Sequence, residues 1–237
     1  MIEESAARYE IYLTKQGQNK LTKREVIAFL QLLRIINALR FQMSLLLHTK
    51  DEKDGLFRLR SQMEIYAIMA SSFKESVKEF YNNLFKTLGP LSDKKEVKEA
   101  LTEYDKKTRN FKDDEVLNII DYIRNNFSFH ISSNLFHNYV IEGEAKEDML
   151  IGIAKSDKLI DQCYLKAYDA LIVQIGGMSK SVTDKSKIID WLFDNILRET
   201  DYFCDLIDKL GGSIIKIYGG KKLSGETMGQ PLPLPKN

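Results

Sequence analysis

Three histidines, His48, His130 and His137, are the only side chains of this chain that titrate near neutrality without help from their surroundings. His130 keeps the most suggestive company. Arg124 lies six positions before it, Asn125 follows the arginine, and Phe127-Ser128-Phe129 leads into the imidazole. An imidazole can accept and return a proton at pH 7. A guanidinium is planar, permanently charged and shaped to the oxygens of a phosphate. Together they meet the minimum need of cutting a phosphodiester through a neighbouring 2′-hydroxyl. One group takes the proton, and the other holds the charge that grows on the phosphorane oxygens. Asn125 could orient either the phosphate or the imidazole.

Geometry then asks for help. Six residues of an ideal α-helix turn about 240° past a whole turn, so Arg124 and His130 would not share a face. Either the helix ends or distorts near Ser128, or the two side chains meet through a second copy of the chain. Acid–base cleavage also wants a proton donor besides the acceptor. A two-fold homodimer would bring both Arg124/His130 pairs into one cleft. Glu64 and Glu75, on the preceding long helix, are the carboxylates that could pair with Arg124. Tyr66 and Tyr122 could stack on bases, although a tyrosine in such a helix is more often part of the core.

Other chemistries find no support in the residues. There is no GxxxxGK[ST], and the glycines and lysines of Gly219 to Gly225 come in the wrong order for a phosphate loop. HExxH and GxSxG are absent, and helical carboxylates lack the Glu-x-x-His spacing of di-iron bundles. No metal or cofactor is expected. Cys163 and Cys204 form no CxxC and read as two buried free thiols of a reducing compartment.

The elements that would position Arg124 and His130 are helices. Only 4 Pro and 13 Gly punctuate 237 residues. A short helix is expected over 4–16, ended by Gly17. Thr22 and Glu25 form a capping box that opens a helix running to His48. Its apolar set is broad, which suggests a central helix buried on more than one side. Leu56 to Leu88 forms the next, closed by Gly89-Pro90, and Ala67, Ala70, Ser71 and Ser72 would let a neighbour approach closely. Ser92 would cap a charged helix to Thr108, and Asp113, Asp114 and Glu115 favour the first turn of the helix that carries Arg124. Two short strands, 139–141 and 149–153, could form a hairpin. Further helices are expected over 157–174, stopped by Gly176-Gly177, and from Thr183 or Asp184 to Leu210, stopped by Gly211-Gly212. Ser213 to Tyr218 could be a short strand, and 219–237 an extended or mobile tail.

The segment Tyr122 to His130, with its Arg-Asn followed by Phe-His, resembles the Arg-polar-x(3–5)-His motif of HEPN-domain proteins, in the branch associated with abortive infection. The likeness implies an all-helical bundle with the motif late in the bundle core, here residues 20–135 of a single helical domain spanning 1–237. The likeness does not extend beyond that core; residues 138–218 are expected, from their own pattern, to add helices and a possible small β-hairpin. The likeness further implies metal-independent RNA cleavage at a homodimer interface by Arg124, Asn125 and His130, in phage defence or stress response. The alternative within the same likeness is a catalytically silent module that binds RNA or a protein partner. One departure matters. A toxin subgroup continues His-x-Tyr, but Ile131-Ser132 follows His130, so the antitoxin-dependent tyrosine modification of that subgroup does not carry over. Any antitoxin or regulatory partner stays unidentified.

Composition bounds these readings. With 35 Lys+Arg against 34 Asp+Glu, the net charge is +1. That excludes binding RNA through an overall basic surface, so any contact must be local. The run from Val26 to Leu47 is interrupted by Arg34, Asn37 and Arg40, which argues against a membrane span. The polar start MIEESAARYE does not read as a signal peptide. A soluble, cytoplasmic protein is expected, with no membrane partner.

Overall fold

A computed structural model gives the architecture over residues 9–49, 55–109, 113–128, 174–184 and 187–223. It is mainly helical. The order is β1 (Tyr9–Leu13), α1 (Lys15–Gln18), α2 (Lys23–His48), α3 (Gly55–Glu79), a π-helical segment (Phe80–Leu84), α4 (Phe85–Leu88), a 3₁₀ turn (Gly89–Leu91), α5 (Lys95–Arg109), α6 (Glu115–Ile123), a second π-helical segment (Arg124–Ser128), α7 (Ile188–Tyr218) and β2 (Gly219–Leu223). The expected hairpin over 139–153, the helix over 157–174, Cys163, His130 and His137 lie outside the described residues.

Local signals set several boundaries as expected. Thr22 Oγ1 accepts from the Glu25 N–H at 3.2 Å, and the Glu25 carboxylate accepts from the Thr22 N–H at 2.6 Å, completing the capping box of α2. Of the three acids expected in the first turn of α6, Glu115 is its first residue, and Asp114 is instead the N-cap, accepting from the Leu117 N–H at 3.0 Å. Ala67, Ala70 and Ser71 are buried, and Ser72 Oγ accepts from Gln42 Nε2 at 2.8 Å. The small residues therefore let α2 lie close against α3, as their size suggested.

α7, not α2, is the central element. It packs against α2, α3, α5 and α6. Leu192, Ile196, Phe203, Ile207, Leu210 and Ile214 on it are essentially inaccessible. The Phe203 ring meets Phe73 and Phe80 edge-on, with centroids at 5.7 and 5.6 Å, and stacks on Tyr104 at 5.4 Å. α2 by contrast buries one stripe, Ala28, Phe29, Leu32, Ile36, Leu39 and Leu46, and leaves Ile27, Leu30, Phe41, Leu45 and Leu47 exposed. The breadth of its apolar set thus reflects two faces, of which the core takes one.

Several further expectations are corrected. α7 does not stop at Gly211-Gly212 but continues through Tyr218, so no strand forms over 213–218. Two helical glycines cost about 2 kcal/mol together, and burial of Ser213 and Ile214 beyond them outweighs it. A helical turn over 174–178 likewise passes through Gly176-Gly177. Lys187, rather than Thr183 or Asp184, stands at the N-cap of α7, and it makes no side-chain capping bond. Ser92 does not cap α5, which starts at Lys95; its hydroxyl is buried without a partner among the described residues.

The last correction concerns Tyr9–Leu13 and Gly219–Leu223. Tyr9–Leu13 is a strand, paired antiparallel with Gly219–Leu223 in the register Tyr9 to Leu223 and Leu13 to Gly219. The pairing partner lies some two hundred positions away, so no local pattern near residue 4 could announce it. Helix α1 docks next to it. A Cβ on Gly17 would stand 1.8 Å from the Tyr218 carbonyl oxygen, so the absence of a side chain is what permits this approach.

Candidate functional site

The end of α6 carries a polar cluster assembled from two helices. Isoleucines 119, 120 and 123 anchor α6 in the core. The chain then enters Arg124-Asn125-Asn126, residues whose amides compete for backbone groups. There the hydrogen bonding widens to the π pattern over Arg124–Ser128. Asn126 Nδ2 donates to the Tyr122 carbonyl at 2.9 Å within this widened turn. Single π turns inside helices recur at functional sites. The helix is thus distorted over Arg124–Ser128, while His130 lies outside the described residues.

Arg124 is held on two sides. Its Nη2 donates to Glu75 Oε1 at 2.8 Å and its Nη1 to Asn125 Oδ1 at 2.8 Å. Asn125 Nδ2 in turn donates to Asp121 Oδ2 at 3.2 Å. Asp121 pairs with Lys74, and the Lys78 ammonium lies 3.8 Å from the second Glu75 oxygen. The result is a continuous chain from Lys74 through Asp121, Asn125, Arg124 and Glu75 to Lys78. Three cations face two carboxylates, so the cluster keeps one net positive charge within a near-neutral protein. Burial, with the neighbouring Arg124 guanidinium second, lowers the Lys74 ammonium below its ordinary range. Arg124 is 31% exposed in its side chain, so the cluster faces solvent from the protein surface.

Sequence reasoning named Glu64 and Glu75 as candidate partners for Arg124, and Glu75 is the one. Asn125 braces the guanidinium. Asp121 and Lys74 were missed. Asp121 stands one helical turn before Asn125, a spacing that does favour contact, whereas Lys74 reaches the cluster only through the packing of α3 on α6. Tyr66 is fully buried, with its hydroxyl 3.4 Å from the Ile189 carbonyl, so it cannot stack on a base. Tyr122 is partly buried against the core, and burial raises its phenol. The one histidine among the described residues, His48, ends α2 on the surface.

Glu75 also borders a hollow of about 300 Å³ between α2 and α3, together with Gln31, Arg34, Ala38, Ser72, Ser76 and Glu79. Its lining combines small side chains, Ala38, Ser72 and Ser76, with the charged Arg34, Glu75 and Glu79. Among the described residues, no group of three or more His, Cys, Asp or Glu could hold a metal ion. Cys204 is a buried free thiol, and burial pushes it up to about 12, which leaves it unreactive at neutral pH. No protein-family model, curated protein or solved structure matches this chain.

Proposed function

We propose that the protein is a metal-independent endoribonuclease of the HEPN type, acting as a homodimer in phage defence or stress response. The observation that carries this reading is the placement of Arg124. It stands on an open surface, in a π turn, held by Asn125 and Glu75 at 2.8 Å each. A guanidinium braced on two edges keeps its remaining donors directed outward, where a phosphate can take them. Lys74 and Lys78 add positive charge on either side, which supplies the local field that the net charge does not. In this reading His130 is the proton acceptor for the 2′-hydroxyl, and its copy in the partner subunit returns a proton to the leaving 5′-oxygen.

The pair with Glu75 also favours a second reading. A guanidinium already matched by a carboxylate can serve as a binding contact in a catalytically silent module for RNA or a protein partner. The two separate on one experiment. Single-stranded RNA and a 2′-deoxy strand of the same sequence are incubated with the protein in EDTA. The nuclease cuts only the RNA, leaves a cyclic phosphate, and loses this activity in Arg124→Ala. Retention of RNA without any cleavage assigns the silent role.

A further inference from the structure

The face of α2 turned away from the core is unusually apolar. Ile27, Leu30, Phe41 and Leu45 are 57%, 57%, 65% and 40% exposed. With Arg34 and Ala38 between them they follow one another at intervals of three and four, which places all six on one stripe along a helix about 39 Å long. The opposite stripe, with Leu32 and Leu39 at 0% exposure, is core. We propose that this outer stripe is the contact between two copies of the chain, packed antiparallel about a two-fold axis near the middle of α2. In that register Ile27 meets Leu45, Leu30 meets Phe41, and Arg34 meets Ala38 of the partner subunit.

Three observations select a second copy as the occupant. The first is area. The four large side chains expose on the order of 450 Å² of apolar surface per copy, and pairing two copies with the stems of Arg34 and Gln31 removes about 1,000 Å², the lower bound of a specific interface. The second is fit. Arg34 is exposed and forms no ion pair among the described residues, yet it lies mid-stripe. The antiparallel register lays it over the partner's Ala38, a small residue that lines the hollow of about 300 Å³ between α2 and α3. Each copy's long side chain thereby meets a short one and a hollow on the other. The third is continuity: Glu75 belongs both to this hollow and to the Arg124 pair. Dimerisation through α2 therefore reaches the candidate site without depending on the nuclease reading. α2 is also long and apolar enough to cross a bilayer. Arg34, Asn37 and Gln31 on or beside the stripe would then enter hydrocarbon unpaired, so a lipid surface is the poorer occupant.

The test is the mass of the full chain by light scattering at tens of micromolar, for the wild type and for Leu30→Glu, Phe41→Glu and Ile217→Glu. Ile217 is an exposed apolar residue on α7 and serves as the control. All three substituted sites are exposed, and circular dichroism verifies folding. The expected result is a dimer for the wild type and Ile217→Glu, with the dissociation constant raised about 100-fold in the two α2 variants. A monomeric wild type overturns the proposal, as does a dimer indifferent to both α2 variants. Recovery of a monomeric wild type on anionic phospholipid vesicles, lost in Phe41→Glu, would assign the stripe to a membrane instead. Failure of RNA cleavage would leave the mass measurement unaffected.

Discussion

Glu75 on α3 and Arg124 at the end of α6 form an ion pair, with Nη2 donating to Oε1 at 2.8 Å. Forty-nine positions separate them in the chain, and the pair lies at the surface, with side chains 48% and 31% exposed. An exposed pair of this kind contributes about 0–1 kcal/mol to stability. Its interest is what it does to the guanidinium, which it fixes in direction and partly neutralises.

Glu75→Gln should separate those two effects. The amide oxygen still accepts from Nη2, while the competing negative charge disappears. Thermal stability should change by less than about 1 kcal/mol, and affinity for single-stranded RNA should rise several-fold. Arg124→Ala should lower that affinity. Fluorescence anisotropy at two salt concentrations measures both, and the salt dependence should be shallower in Arg124→Ala.

A second pair behaves oppositely because its carboxylate is buried. Lys107 reaches Glu199 Oε2 at 2.5 Å, and the Glu199 side chain is 4% exposed. Lys107→Met leaves that buried carboxylate with only the more distant, exposed Arg198, whose Nε lies 3.9 Å from Oε1. The expected loss is about 3–5 kcal/mol in urea denaturation, far beyond what the exposed Arg124 pair contributes. Lys107→Met with Glu199→Gln should recover most of it.

Gly17 offers a backbone test. Its missing Cβ would fall 1.8 Å from the Tyr218 oxygen, and main chain cannot rotate away as a side chain could. Gly17→Ala should therefore detach α1 and the β1–β2 pair at a cost of about 1–3 kcal/mol. Amide exchange should rise first in Tyr9–Leu13 and Gly219–Leu223, while α7 stays protected.

Glu115 couples pH to the segment 179–182. Burial acts to raise its carboxyl, but hydrogen bonds from Ser179 Oγ, Ser181 Oγ and the N–H groups of Ser181 and Lys180 outweigh burial and hold it below the usual 4.5. A lowered folded value means that the stabilisation is complete above about 4.5 and is lost as pH falls through the folded value. The chain's one tryptophan, Trp191, lines a surface hollow with Ser181 and Val182. Its fluorescence should report the release of this segment between pH 5 and pH 3, as rough bounds. Glu115→Gln should abolish that transition.

How much of this was written locally in the chain follows from which forces act locally. The capping box at Thr22 and Glu25, the Asp114 cap and the break at Gly89-Pro90 are contacts within one turn, and each occurs where the residues suggest. The passage of α7 through Gly211-Gly212 does not follow from propensity, because it is decided by what Ile214 packs against. The β1–β2 pair joins opposite ends of the chain. At the site, Arg124 and Asn125 were legible from their types, and Glu75 as one of two carboxylates on a neighbouring helix. Lys74 and Asp121 became visible only once α3 and α6 were packed together.

The proposed joint action of Arg124 and His130 on one phosphate is tested most directly by the rate of RNA cleavage in EDTA, compared between the wild type and His130→Ala. Loss of a general base should slow cleavage by about 100-fold or more, with folding and dimer mass unchanged. Equal rates for the two proteins, or no cleavage by either on any single-stranded RNA, would contradict it.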